Sequence, residues 1–72
     1  MKLEIGSKYK TRNGDVAVVL AMNPFADVKD PYPYISIVKS YGIIFTNAEG
    51  RHYLQKECEF DLIDKLPSNF MF

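Results

Sequence analysis

The chain has 72 residues, 47% of them hydrophobic, with five Tyr, five Phe, four Gly, four Pro and a single cysteine. Nine basic and nine acidic side chains cancel to a formal charge of zero. That balance argues against a duplex-binding protein, because phosphate neutralisation supplies most of the affinity of such domains. The apolar content excludes intrinsic disorder, and one cysteine excludes an internal disulfide and any multi-cysteine metal site.

A chain of this size makes one domain, taken here as residues 1–72 with a barrel over about 5–64 and an aromatic tail over 66–72. It buries only about 60% of its unfolded surface, so its core is marginal alone. Residues 1–15 carry no apolar signal-peptide core, and no apolar run approaches the roughly 20 residues that span a bilayer. A cytoplasmic protein with no membrane contact is expected.

In chain order, "SKYKTRNGDVAVVLAM" (7–22) gives the strongest local signal. Asn13-Gly14 fits a two-residue type I′ turn, which needs positive φ at both positions, and the β-branched run after it reads as a strand. Val16, Val18, Leu20 and Met22 share one face; Ala17, Val19 and Ala21 make the other apolar too, so both faces are expected to be covered. "NPFADVKDPYPY" (23–34), rich in proline and aspartate, reads as a loop. "YISIVKS" is a third strand, Ser40-Tyr41-Gly42 a turn, and "IIFTN" a fourth strand. Ala48-Glu49-Gly50 turns the chain into a fifth strand, "RHYLQ" (51–55), and "CEFDLI" (58–63) is a short last strand. Five to six short strands at intervals of about ten residues predict an all-β fold, a small barrel or a curled antiparallel sheet.

Lys8, Lys10 and Arg12 alternate along the first strand, and Glu57, Glu59 and Asp61 along the last. Paired across the closure of a barrel, the two stripes would neutralise each other; left unpaired, the basic stripe would be open to an anionic partner.

Catalysis has little to stand on. Arg51 and His52 are neighbours on a strand and point to opposite faces. Cys58 and His52 lack an indicated third group to position a base. One His, one Cys and scattered acids match no metal-ligand spacing, and no glycine-rich phosphate loop is present. No enzyme, cofactor or metal is expected. Binding is better supplied. Arg51 follows Gly50 at a hairpin tip, where it can either grip a phosphate or carboxylate in bidentate fashion or pair with Glu49 or Asp64. Phe25, Tyr32 and Tyr34 lie among prolines and either cap the core or meet a partner. Phe70, Met71 and Phe72 in the tail either fold back or bury in a second copy, since small chains gain stability by oligomerising.

The run "YKTRNGDVAVVL", "YPY", "FTNAEGRHY" and "ECEFDLI" resembles a group of small proteins encoded by tailed bacteriophages and prophages. Tyr9, Thr11, Arg12, Asn13 and Gly14 carry the first part of that pattern, Tyr32-Pro33 the second, Thr46, Gly50, Arg51 and Tyr53 the third, and Asp61-Leu62 the last. Phe45 stands where the pattern more often has Trp. The resemblance covers about residues 6–64 and implies an SH3-like barrel and a location in the cytoplasm of an infected bacterium, with no activity to carry over.

Three functions therefore compete. The leading expectation is a non-enzymatic accessory or anti-defence protein that binds and inhibits a host protein. The second is a homo-oligomer that sequesters a nucleotide-type small ligand, with Arg12, Arg51 and the tyrosines as its grip. The third is a module for single-stranded nucleic acid, in which aromatics stack bases.

Overall fold

The computed structural model describes residues 2–26, 31–53 and 55–71. Five strands form one antiparallel sheet: β1 (Lys8–Thr11), β2 (Val16–Met22), β3 (Tyr34–Val38), β4 (Gly42–Thr46) and β5 (Leu62–Lys65). Across the sheet their order is β4-β3-β2-β1-β5. The all-β expectation holds, and among the described residues there is no helix.

The first hairpin forms where Asn13-Gly14 places it, but with a three-residue loop. The Gly14 N–H donates to the Thr11 carbonyl at 3.0 Å, and the Thr11 N–H to the Asp15 carbonyl at 2.8 Å. Only Gly14 takes positive φ, at 89°; no non-glycine residue does. The turn is therefore of the type I plus left-handed glycine kind rather than I′. Side chains select it. The Asp15 N–H is held by Thr11 Oγ1 at 2.8 Å and Asn13 Oδ1 at 3.2 Å, an Asx arrangement that keeps Asn13 out of the left-handed region.

Two bulges bend the sheet, as an extra residue on one strand does. Leu20 is extra on β2 opposite β3, and Ile63 is extra on β5 opposite β1. The bent sheet curls around a core of Tyr9, Ala17, Val19, Tyr34, Val38, Ile44 and Leu62, closed at one end by Leu3. Leu3 is fastened by its N–H to the Ala48 carbonyl at 2.8 Å. Because β4 and β5 are the two outer strands, the sheet is curled and not closed by a ladder. A single main-chain bond, Leu62 N–H to the Gly50 carbonyl at 2.9 Å, ties its ends together.

Two expected strands are corrected. Arg51, His52, Tyr53 and Gln55 are not in a strand; Leu54 lies outside the described residues. The hairpin that should launch this strand begins well, with the Asn47 N–H on the Arg51 carbonyl at 2.9 Å. It then stops, because the His52 N–H is captured at 2.9 Å by the Asp61 carboxylate instead of a neighbouring strand. The last strand also moves. Glu59 and Phe60 form a turn, and the ladder with β1 begins only at Leu62, so β5 occupies 62–65 instead of 58–63.

Candidate functional site

Alternation along β2, β3 and β4 decides what faces out. Ala17, Val19, Ser36, Val38, Ile44 and Thr46 point inward and are buried. Val16, Val18, Leu20, Ile35, Ile37, Ile43 and Phe45 point outward, half-buried or exposed. The pairing Val18↔Ile37↔Ile43 makes one continuous apolar row, and Ile35↔Phe45 a second. Both faces of β2 were expected to be covered; instead the smaller side chains fill the narrow interior and the larger ones are left outside. Leu20, Met22, Ile37, Ile43 and Phe45 together expose on the order of several hundred Å² of apolar surface, a size that marks an interaction site on a small protein.

A second feature is a cleft of about 430 Å³ lined by Tyr32, Tyr53, Gln55 and Lys56. The Lys56 ammonium lies 4.9 Å from the centre of the Tyr53 ring, within cation–π range. The His52 ring meets Tyr53 edge-on at 4.7 Å, and Arg51 Nε donates to the Tyr53 carbonyl at 3.2 Å. Two aromatic walls and one ammonium suit a planar, anionic ligand.

The sequence-predicted residues scatter. Tyr32 lines the cleft and Arg51 adjoins it through Tyr53. Tyr34 does not reach a surface at all: its ring belongs to the core. Phe25 is the most exposed large apolar side chain described, at 91%, in a turn where its N–H is held by Asn23 Oδ1 at 2.9 Å. Asn23 also closes the loop through the Pro33 carbonyl at 2.7 Å; residues 27–30 of that loop lie outside the described residues. In the tail Phe70 is half-buried, its N–H on the Pro67 carbonyl at 2.9 Å, while Met71 is 85% exposed. Phe72 lies outside the described residues.

Arg12 is committed to structure. Its Nη2 contacts Asp61 Oδ2 at 3.3 Å and its Nη1 lies 4.0 Å from Glu57. The two charge stripes therefore meet at Arg12 alone. Asp64, not Glu59, stands opposite Lys10, and neither Lys8 nor Lys10 ion-pairs with a described acid.

Asp61 is the residue that alternation misplaced. It was counted on a solvated face, yet it is only 1% exposed. Its carboxylate accepts the His52 N–H at 2.9 Å, the Cys58 N–H at 3.0 Å and Arg12 Nη2. Its carbonyl accepts the Arg12 N–H at 2.9 Å. Burial alone would raise its pKa, but the two main-chain donors and Arg12 outweigh burial and hold it below the ordinary 3.8. Asp61 thus knots together the first hairpin, the 51–53 segment and the 58–61 turn.

The main chain of His52 and Cys58 converges on this carboxylate, but the His52 ring turns away, with Nδ1 2.8 Å from the Phe45 carbonyl. Among the described residues no group of His, Cys, Asp or Glu could hold a metal ion, and no helix is long and apolar enough to cross a membrane. Comparison with protein-family models, curated proteins and solved structures finds no match to this chain.

Proposed function

We propose that the chain is a non-enzymatic binding protein of phage origin that docks on a host protein and inhibits or redirects it. The observation that carries this reading is the apolar outer face of β2, β3 and β4. A monomer that turns Leu20, Ile37, Ile43 and Phe45 to water gains nothing from them until a partner covers them. The phage origin rests on the motif resemblance. The contact surface shifts from the 24–34 loop and tail to the sheet face, because Tyr34 is internal and the face is the larger apolar area. The test is retention of a bacterial protein by wild type, by Ile37→Asp and by Phe25→Ser, each checked for folding by circular dichroism. One protein held by wild type and Phe25→Ser but released by Ile37→Asp supports the face. Equal retention by Ile37→Asp, or no protein retained by wild type, overturns it.

The cleft favours a second reading, capture of a nucleotide-type ligand. Tyr53 and Lys56 would supply stacking and charge, with Arg51 alongside. Nucleoside monophosphates should then raise the melting temperature of wild type and not of a Tyr53→Ala, Lys56→Ala double variant. No shift with wild type removes this reading.

A further inference from the structure

The two edges of the sheet differ in a way that matters for assembly. β5 has four residues, carries the bulge at Ile63, ends in the exposed pair Asp64-Lys65 and is followed closely by Pro67. Short length, bulge, charge and proline are the devices that stop a further strand from adding to an edge. β4 has none of them. Its five residues, Gly42–Thr46, include no charge and no proline, and they pair with β3 in unbroken register.

Alternation fixes which β4 groups face the open side. Val38 and Gly42 pair at the hairpin end, where the Tyr41 N–H meets the Val38 carbonyl at 3.1 Å. Ile43 and Phe45 therefore turn their main-chain N–H and C=O away from β3. The contact of His52 Nδ1 with the Phe45 carbonyl at 2.8 Å agrees with that direction. Among the described residues, none bonds to the main chain of Ile43 on this side.

We propose that β4 pairs antiparallel with β4 of a second copy of this chain, about a two-fold axis through Ile43. The two Ile43 residues would exchange two main-chain hydrogen bonds. Each Ile43 side chain would lie beside that of the second copy, and each Tyr41 would lie opposite the second copy's Phe45. These three side chains are 57%, 63% and 50% exposed respectively. Aromatic and β-branched pairs are what stabilises such a ladder. A second copy is the occupant because the edge is self-complementary: under the two-fold axis every apolar position meets an apolar one. Zero net charge leaves no long-range repulsion between copies. The pairing would also lay the two outer sheet faces side by side.

This inference stands apart from the host-docking reading, since it concerns the edge and is read out as mass. Sedimentation equilibrium from micromolar to millimolar concentration should show a reversible dimer for wild type. Ile43→Lys sets two like charges against each other across the axis and should be monomeric throughout. Leu20→Lys, on the same face but away from the edge, should still dimerise. Slower exchange of the Ile43 amide at high concentration should accompany the dimer. A wild type that stays monomeric overturns the proposal, as does a dimer that survives Ile43→Lys. Loss of the dimer in Leu20→Lys as well would mean face-to-face stacking and would also refute edge pairing.

Discussion

Asp61→Ala is the substitution that most directly tests how this small fold is held. The carboxylate takes three donors: the N–H groups of His52 and Cys58, and the Arg12 guanidinium. Truncation leaves both amides without an acceptor. An orphaned buried donor costs about 1–3 kcal/mol, and both sites are only partly buried. Arg12 is partly exposed and can turn to water, so it adds little. The expected loss is about 2–4 kcal/mol, against a total stability of about 4–11 kcal/mol for 72 residues. Urea unfolding followed by far-ultraviolet circular dichroism and tyrosine fluorescence measures it cleanly, because the chain has no tryptophan. Asp64→Ala, at an exposed position three residues on, should stay within about 0.5 kcal/mol. If Asp61→Ala costs less than about 1 kcal/mol, or no more than Asp64→Ala, the knot at Asp61 is not what organises residues 51–61.

The same carboxylate sets a pH dependence. Its folded pKa lies below 3.8, so its stabilisation is complete well above that value and is lost as pH falls through the folded pKa. The urea midpoint should be flat between about pH 7 and 5 and fall below about pH 4, less steeply in Asp61→Asn. An equal fall in the two proteins would shift the cause to other carboxylates such as Asp15, which the Ser40 hydroxyl and nearby main-chain N–H groups also hold low. Gly50→Ala should cost about 2–4 kcal/mol, because φ is +89° and the new Cβ would sit 2.6 Å from the Leu62 carbonyl oxygen. Gly14→Ala shares the φ but meets open space, and should cost only about 1 kcal/mol; equal thermal shifts for the two would mean that the Leu62 contact is inconsequential. Ser36→Ala and Thr46→Val remove buried hydroxyls that have no hydrogen-bond partner. Each should leave the melting temperature level or raise it, and a loss above about 1 kcal/mol in either would show that the hydroxyl is bonded in solution.

What could be read from the residues was local. The hairpin at Asn13-Gly14, the β2, β3 and β4 runs and the turn at Ala48–Gly50 all depend on neighbours within a few positions, and all appear. The conformation of the first turn did not follow from Asn-Gly alone, because the Thr11 hydroxyl and the Asp15 amide compete for the same loop. The failures are long-range. "RHYLQ" has strand composition, yet the partner that would complete its ladder is displaced by a carboxylate nine residues downstream of His52. Asp61 sits in a plausible alternating stretch, and period-two counting assigned it to water. Only the two amides and the guanidinium converging on it make its burial tolerable, and that convergence is a property of the fold. Among the expected binding residues, Tyr32 and Arg51 come close to one cleft because Tyr53 joins them, a residue that had been read only as part of a strand.

The division of side chains between the two faces makes the functional argument. A curl of five short strands leaves an interior too narrow for every large aliphatic residue in the chain, and Ala17, Ser36 and Thr46 occupy inward positions where bulk would not fit. Leucine and isoleucine at Leu20, Ile37 and Ile43 are then not surplus core. Folding alone returns only part of their transfer free energy, about 25 cal/mol for each Å² covered, and the remainder is available only to association. A polar residue at any of the three would fold as well and dissolve better. The outward isoleucines, set beside an edge strand that carries neither charge nor proline, are therefore best explained by what they meet outside the monomer.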